Sequence, residues 1–157
     1  MDSSSTGRTV LISVRPRFAY AILGGLKQVE LRRVAPSQDL SAVVLYATAP
    51  ERSILGWFDV DGVEVAAPST LWRRYGGHTS LSRREYDHYF AGCPKGVAIK
   101  VGTIHQLPRP ISLQELGDLS PPQGFSYLTE EAVQVLREQY TVTGSRFRSW
   151  VTVAAAR

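Results

Sequence analysis

The sequence predicts an α+β protein: a small, mostly antiparallel β-barrel of about five or six strands, with flanking helices and a helical insertion. Three observations carry this expectation. Short runs rich in β-branched and aliphatic residues recur between Gly, Pro and Asp turn signals. Few helical patterns separate those runs, so the regular strand–helix alternation of a parallel sheet is not met. Residues 68–92 change character and read as two short helices set between strands. Closing the strands into a barrel would also remove their exposed edges.

In order along the chain, residues 1–8 are small and polar and are expected to be a disordered start. Residues 10–14 read as the first strand. Pro16 is placed for the first turn of a helix, and Phe18, Ala19, Ile22 and Leu23 recur at helical spacing. Gly24-Gly25 ends that helix, and residues 29–32 form a second strand. Residues 42–47 are a buried strand by composition. Residues 54–60 and 63–66 flank Asp61-Gly62, a hairpin or bulge signal. Trp57 and Phe58 point to opposite faces, so one of them is expected outside the core. In the insertion, Ser69-Thr70 is expected to cap one helix and Ser82 to 85 to form a capping box on the next. Residues 96–107 form a long strand stopped by Pro108 and Pro110. Residues 113–119 allow a single turn, residues 121–128 a rigid loop with two aromatic anchors, and Thr129 caps a last helix. A single domain is expected over residues 9–140, followed by a basic, aromatic tail at 141–157.

At 157 residues, 43% hydrophobic and 20% charged, the chain is long enough for one core without disulfides. A single cysteine, Cys93, excludes an internal disulfide framework and a cysteine-based zinc site. With no signal-peptide pattern and no apolar run of bilayer length, a reducing, cytoplasmic setting away from membranes is expected. His78, His88 and His105 have no ligand spacing, so neither metal nor cofactor is expected. The net charge of +4 favours an anionic partner, with nucleic acid leading.

Residues 24–32 are hard to explain by packing alone. Lys27 follows the helix stop, and Glu30 and Arg32 sit two apart on a strand, pointing to one face while Val29 and Leu31 point to the other. An ammonium, a carboxylate and a guanidinium therefore meet at one helix–strand corner. Arg15 and Arg17 flank Pro16, where arginine opposes the helix dipole, and a phosphate there would satisfy both arginines and the free N–H groups. Arg73-Arg74 and Arg83-Arg84 interleave with Trp72, Tyr75, Tyr86 and Tyr89, a mixture that suits single-stranded nucleic acid or else a small aromatic core.

Gly25-Leu26-Lys27-Gln28-Val29-Glu30-Leu31-Arg32 resembles the G-x-K-x-x-E-x-R signature of ASCH domains, in the PUA-like superfamily. The segment from Ser13-Val14-Arg15-Pro16 to Leu23 resembles that domain's first strand and helix, and Gly96-Val97-Ala98-Ile99-Lys100 its late barrel strand. Pro121-Pro122-Gln123-Gly124-Phe125-Ser126-Tyr127-Leu128 looks like a loop of a prokaryotic subset. The resemblance covers residues 10–128. It implies a PUA-like barrel with a cleft beside the signature that binds RNA or another nucleic acid. Candidate binding residues are then Arg15, Arg17, Lys27, Glu30, Arg32, Trp57, Ser126 and Tyr127, with a nearby aromatic as a stacking platform.

Some members of the family are enzymes, which leaves a hydrolase open as the alternative: a ribonuclease, or an amidohydrolase acting on N4-acetylcytidine. Lys27 and Glu30 would be its acid–base pair. The amidohydrolase branch places a nucleophilic threonine where this chain has Glu30. Its glutamate would fall around Gly77-His78, where no carboxylate is present. The resemblance thus favours holding a nucleic acid, RNA or single-stranded, over cutting one. Oligomeric state is not legible.

Overall fold

The computed structural model describes residues 7–37 and 39–143. Its elements are β1 (Arg8–Val14), α1 (Pro16–Leu23), β2 (Val29–Arg32), β3 (Leu40–Ala47), β4 (Ser53–Ala66), α2 (Pro68–Tyr75), a 3₁₀ turn (Gly76–His78), α3 (Arg83–Tyr89), β5 (Gly96–Ile111), a second 3₁₀ turn (Leu113–Leu116), β6 (Ser126–Tyr127) and α4 (Glu130–Thr143). The six strands form one sheet in the order β2-β5-β4-β3-β1-β6. Only β1 and β3 pair in parallel; the other neighbours are antiparallel. Arg32 on β2 donates to the Ser13 carbonyl on β1 at 3.2 Å, so the sheet curls until its two ends nearly meet. This is the small α+β barrel that the strand pattern predicts.

Alternation along the strands separates two apolar layers. Val43, Leu45 and Ala47 join Val10, Ile12, Phe58, Val97 and Ile99 in the barrel interior, closed by Ala19, Ile22 and Leu23 of α1. Val44 and Tyr46 face the other way, with Leu11, Ile54 and Leu107, and are covered by Ala132 and Leu136 of α4. A third cluster sits under the insertion, where Leu71, Tyr86 and Phe90 pack on Val29, Leu31 and Ala98. The aromatic residues of the insertion that sequence left between two uses therefore mainly build its own core.

Several boundaries differ from expectation, each for a tertiary reason. β1 begins at Arg8, because its backbone N–H reaches the Asp39 carbonyl at 2.8 Å. β4 is a single strand whose pairing shifts register around Val60 and Gly62, so Asp61-Gly62 marks a bulge and not a hairpin. α2 starts at Pro68, with Ala67 as its uncapped boundary, so Ser69-Thr70 lies inside the helix. β5 runs through Pro108 and Pro110 to Ile111. Pro108 and Pro110 fall between the Gly56–Gln106 and Ile54–Ile111 pairs, where the register with β4 is broken and β2 is no longer alongside, so neither proline removes a ladder hydrogen bond. Ser126 and Tyr127 form β6, paired with Leu11 and Val10, within the segment expected to be a loop. α4 continues to Thr143, past the expected end of the domain. Residues 1–6 and the tail from 144, with Arg146, Phe147, Arg148 and Trp150, lie outside the described residues.

Gly56 is the tightest backbone approach in the sheet. A β-carbon there would lie 2.5 Å from the His105 carbonyl oxygen and 3.1 Å from Gln106 Cα, both main-chain atoms of the paired strand. Gly56→Ala is expected to destabilise the fold by about 1–3 kcal/mol, read as a lower urea midpoint at constant m-value. An unchanged midpoint would mean that β4 and β5 are not this close.

Candidate functional site

The helix–strand corner is built by local backbone chemistry. Gly25 takes φ +85°, the left-handed conformation that ends α1, and the N–H groups of Leu26 and Lys27 both reach the Ala21 carbonyl, at 2.9 and 3.0 Å. The Gln28 N–H donates to the His78 carbonyl at 2.8 Å, and its carbonyl accepts from Val101 at 3.0 Å, which fixes the corner between the insertion and β5. Val29 and Leu31 then point into the insertion core, and Glu30 and Arg32 point to the interior face of the sheet beside Ile99 and Val97.

Lys27 and Glu30 are buried, at 3% and 6% exposure. Lys27 Nζ donates to the Thr79 carbonyl at 2.5 Å, stands 3.9 Å from Glu30 Oε1, and lies 5.1 Å from the centroid of the Phe18 ring. Glu30 Oε2 accepts from Arg32 Nε at 3.1 Å and stands 3.0 Å from Arg32 Nη2, which donates to the Ser13 carbonyl. A continuous polar chain thus runs from the insertion, through the signature, to β1. It holds two cations and one carboxylate, so it carries a net positive charge. Burial is the largest effect on the Lys27 ammonium and holds its pKa below the ordinary value; Glu30 partly offsets this, and the Arg32 and Arg17 guanidiniums add to it.

Above this floor opens a cleft of about 450 Å³. Its rim is basic and aromatic. Arg15 is exposed at the start of α1 and makes no ion pair among the described residues. Arg17 pairs with Glu85 at 2.5 Å and lies 4.3 Å over the Phe18 ring. Glu85 also closes the capping box of α3 with Ser82, and those backbone hydrogen bonds, followed by Arg17, lower its pKa. Arg33 stacks 4.2 Å from the Tyr89 ring and donates to the Tyr89 carbonyl at 2.8 Å. Burial raises the Tyr89 phenol pKa, and its hydroxyl donates to the Leu31 carbonyl at 3.3 Å.

The structure brings Arg15, Arg17, Lys27, Glu30 and Arg32 together around one cleft. It does not bring Trp57, Ser126 or Tyr127 there. Trp57 lies on the opposite face of the sheet, stacked on His105 at 5.0 Å and edge-on to Tyr140 at 5.4 Å, because it shares the face of Val44 that α4 covers. Tyr127 turns its hydroxyl to Ser37, whose N–H and Oγ are both at 3.0 Å, while Ser126 pairs with Leu11. Sequence reasoning missed Thr79, Arg33 and the cleft role of Glu85. Thr79 acts through its carbonyl, for which side-chain identity carries no signal, whereas Arg33, directly after the signature, was there to be noticed. Among the described residues no group of three or more His, Cys, Asp or Glu is placed to hold a metal ion, and no helix is long and apolar enough to cross a membrane.

No family model matches the chain. It is 38% identical over 134 residues to an ASCH domain-containing ribonuclease of Zymomonas mobilis, a match that covers 82% of this chain and 90% of that one. The crystal structure of ASCH from Zymomonas mobilis superposes with a TM-score of 0.78 at 35% identity, covering 83% of this chain and 94% of that chain. A large ribosomal subunit protein uL22 of Ureaplasma parvum is 32% identical over 124 residues, which is 78% of this chain and 40% of that protein.

The lowered pKa of Lys27 makes stability depend on pH with a definite sign. Between its value in the fold and 10.5, the ordinary value of an unfolded-chain lysine, the unfolded state holds more protons than the fold. The unfolding free energy of the wild type should therefore rise with pH through that window, relative to Lys27→Met, which has no such proton to lose. Urea titrations of both proteins at stepped pH check this, and a constant difference between them would contradict it.

Proposed function

The chain belongs to the ASCH domain family, and on that footing we propose that its cleft binds single-stranded RNA. The observation that carries this reading is the arrangement of charge. A buried floor of net positive charge is topped by the exposed, unpaired Arg15 at the start of α1. The first turn of that helix has no acidic residue and no side-chain cap; Pro16 carries no N–H and Phe18 donates to the Arg15 carbonyl at 2.9 Å, so the helix dipole and the Arg17 N–H favour an anion at the same spot as Arg15. Phe18 and Tyr89 add ring faces at the cleft wall, on which unpaired bases stack without regard to sequence. The similarity to a protein named a ribonuclease supports RNA as the nucleic acid.

Burial separates the roles of the charged residues. Arg15, Arg17 and Arg33 reach solvent and make the phosphate contacts, with Arg17 exchanging Glu85 for the ligand. Lys27 and Glu30 are too enclosed to lead the encounter; they set the cleft's charge and hold Arg32 in place.

A second reading, cleavage of the RNA, is favoured by the lowered pKa of Lys27 beside Glu30 and by the name of the Zymomonas relative. Glu30 would take the proton of a ribose 2′-hydroxyl as that oxygen attacks the adjacent phosphorus, and Lys27 would protonate the departing 5′-oxygen. That geometry needs the ribose to reach the floor. Glu30→Gln and Lys27→Met should then abolish turnover of labelled RNA even at RNA concentrations that saturate each variant, so that the loss is separate from any change in affinity. Turnover unchanged in both variants, purified alongside the wild type, would remove these two residues from any cleavage.

Binding itself is tested by salt. Affinity for a short single-stranded RNA should fall steeply with salt concentration, and Arg15→Ala should weaken it across sequences and reduce the slope by about 0.7, one single-strand phosphate contact. A slope identical to wild type would place the phosphate path elsewhere.

A further inference from the structure

Past Asp59, β4 outruns its neighbour. β3 pairs with β4 only as far as Ala42 opposite Asp59, whereas β5 stays paired with β4 to Ala66. Among the described residues, the other edge of residues 60–66 has no strand partner, and its main-chain groups form an open template for one. The bulge at Asp61-Gly62 interrupts this edge at one end, and from Gly62 to Ala66 its pairing with β5 is regular. Val63 and Val65, on the interior face, are 39% and 48% exposed, and the segment holds neither lysine nor proline.

We propose that this edge pairs antiparallel with the same edge of a second copy, giving a two-fold symmetric dimer centred on Val63. Self-pairing is isologous, so every contact is made twice. The charges beside the edge select the register. The Lys100 side chain crosses over Gly62, its Cε 2.9 Å and its Nζ 3.5 Å from where a Gly62 β-carbon would stand, and Lys100 makes no ion pair among the described residues. Glu64, two residues on and on the same face, accepts from the Tyr75 hydroxyl at 2.5 Å and pairs with Arg74. With Val63 on the axis, Gly62 of one copy lies opposite the partner's Glu64, so each Lys100 ammonium approaches the other copy's carboxylate. Moving the axis to Gly62 brings the two Lys100 ammoniums together, and moving it to Glu64 brings the two carboxylates together. Of these three registers, only the one centred on Val63 is complementary.

On the other face, this register sets Val63 against the partner's Val63, with each Val65 opposite the partner's Asp61 at the bulge. The result is a continuous six-stranded face, β2-β5-β4 of one copy followed by β4-β5-β2 of the other. The two Lys27–Glu30–Arg32 corners then open on the same side, about 24 Å apart at five strand spacings. The proposal does not depend on what the cleft binds. With two valines per copy and a short ladder, the dimer is concentration-dependent, with a Kd on the order of 10–100 μM.

Sedimentation velocity over a concentration series around that range tests it on the full chain. The wild type should pass from monomer to dimer, and amide exchange of residues 62–66 should slow as the dimer forms. Val63→Lys alters an exposed side chain, so it should keep the monomer's circular dichroism; by placing two ammoniums on the axis it should raise Kd by about tenfold or more. Lys100→Glu should also weaken the dimer, through repulsion from the partner's Glu64. A wild type that stays monomeric throughout would overturn the proposal, as would a dimer indifferent to Val63→Lys or exchange protection that arises elsewhere. A dimer lost in Val63→Lys but unchanged in Lys100→Glu would overturn the Val63 register.

Discussion

The placement of one buried carboxylate organises this molecule. Glu30 sits between the ammonium of Lys27 and the guanidinium of Arg32, and these reach on to the carbonyls of Thr79 and Ser13. Desolvating such a cluster costs several kcal/mol per ion unless its partners are all in place. The fold therefore has to deliver four separate segments to one point: the insertion, the end of α1, β2 and β1. Removing the carboxylate would leave the buried Lys27 ammonium facing the partly buried Arg32 guanidinium, a larger penalty than the loss of one contact. The same requirement closes the barrel, because the bond from Arg32 to Ser13 ties the sheet's far ends together.

That constraint also shapes the cleft. A surplus of one positive charge held by fixed partners is pre-organised for an anion, since the Lys27, Glu30 and Arg32 side chains are already ordered before the ligand arrives. The insertion contributes as a wall more than as a binding surface. Its aromatic residues are spent on packing against Val29, Leu31 and Ala98, and only Leu81, Glu85, His88 and Tyr89 reach the cavity. The exposed charges are left to the rim, where Arg15 makes no ion pair among the described residues and Arg17 pairs with the exposed Glu85.

How much of this was legible follows from which signals are local. Pro16 and Gly24-Gly25 bracket α1 by backbone preference, and the alternation of residues 29–32 is enough by itself to place Glu30 with Arg32 on one face. The capping box at Ser82 and Glu85 is equally local. The passage of β5 through two prolines was not legible, because it depends on a register break against β4 between Gln106 and Ile111. Two-residue β6 exists only because β1 offers it a partner. Alternation shows that Trp57 and Phe58 face opposite ways but not which face α4 covers, so Trp57 looked available when it is packed against His105 and Tyr140. The Thr79 carbonyl, a main-chain atom in a loop distant in sequence, leaves no trace in composition or spacing.

The most direct test of the cleft as the binding surface is a chemical-shift map of the protein titrated with a short single-stranded RNA. The account predicts perturbations concentrated at Arg15, Phe18, Arg33 and Tyr89, with the Trp57, His105 and Tyr140 cluster on the far face of the sheet unchanged. Perturbations at that cluster, with the cleft residues silent, would contradict it.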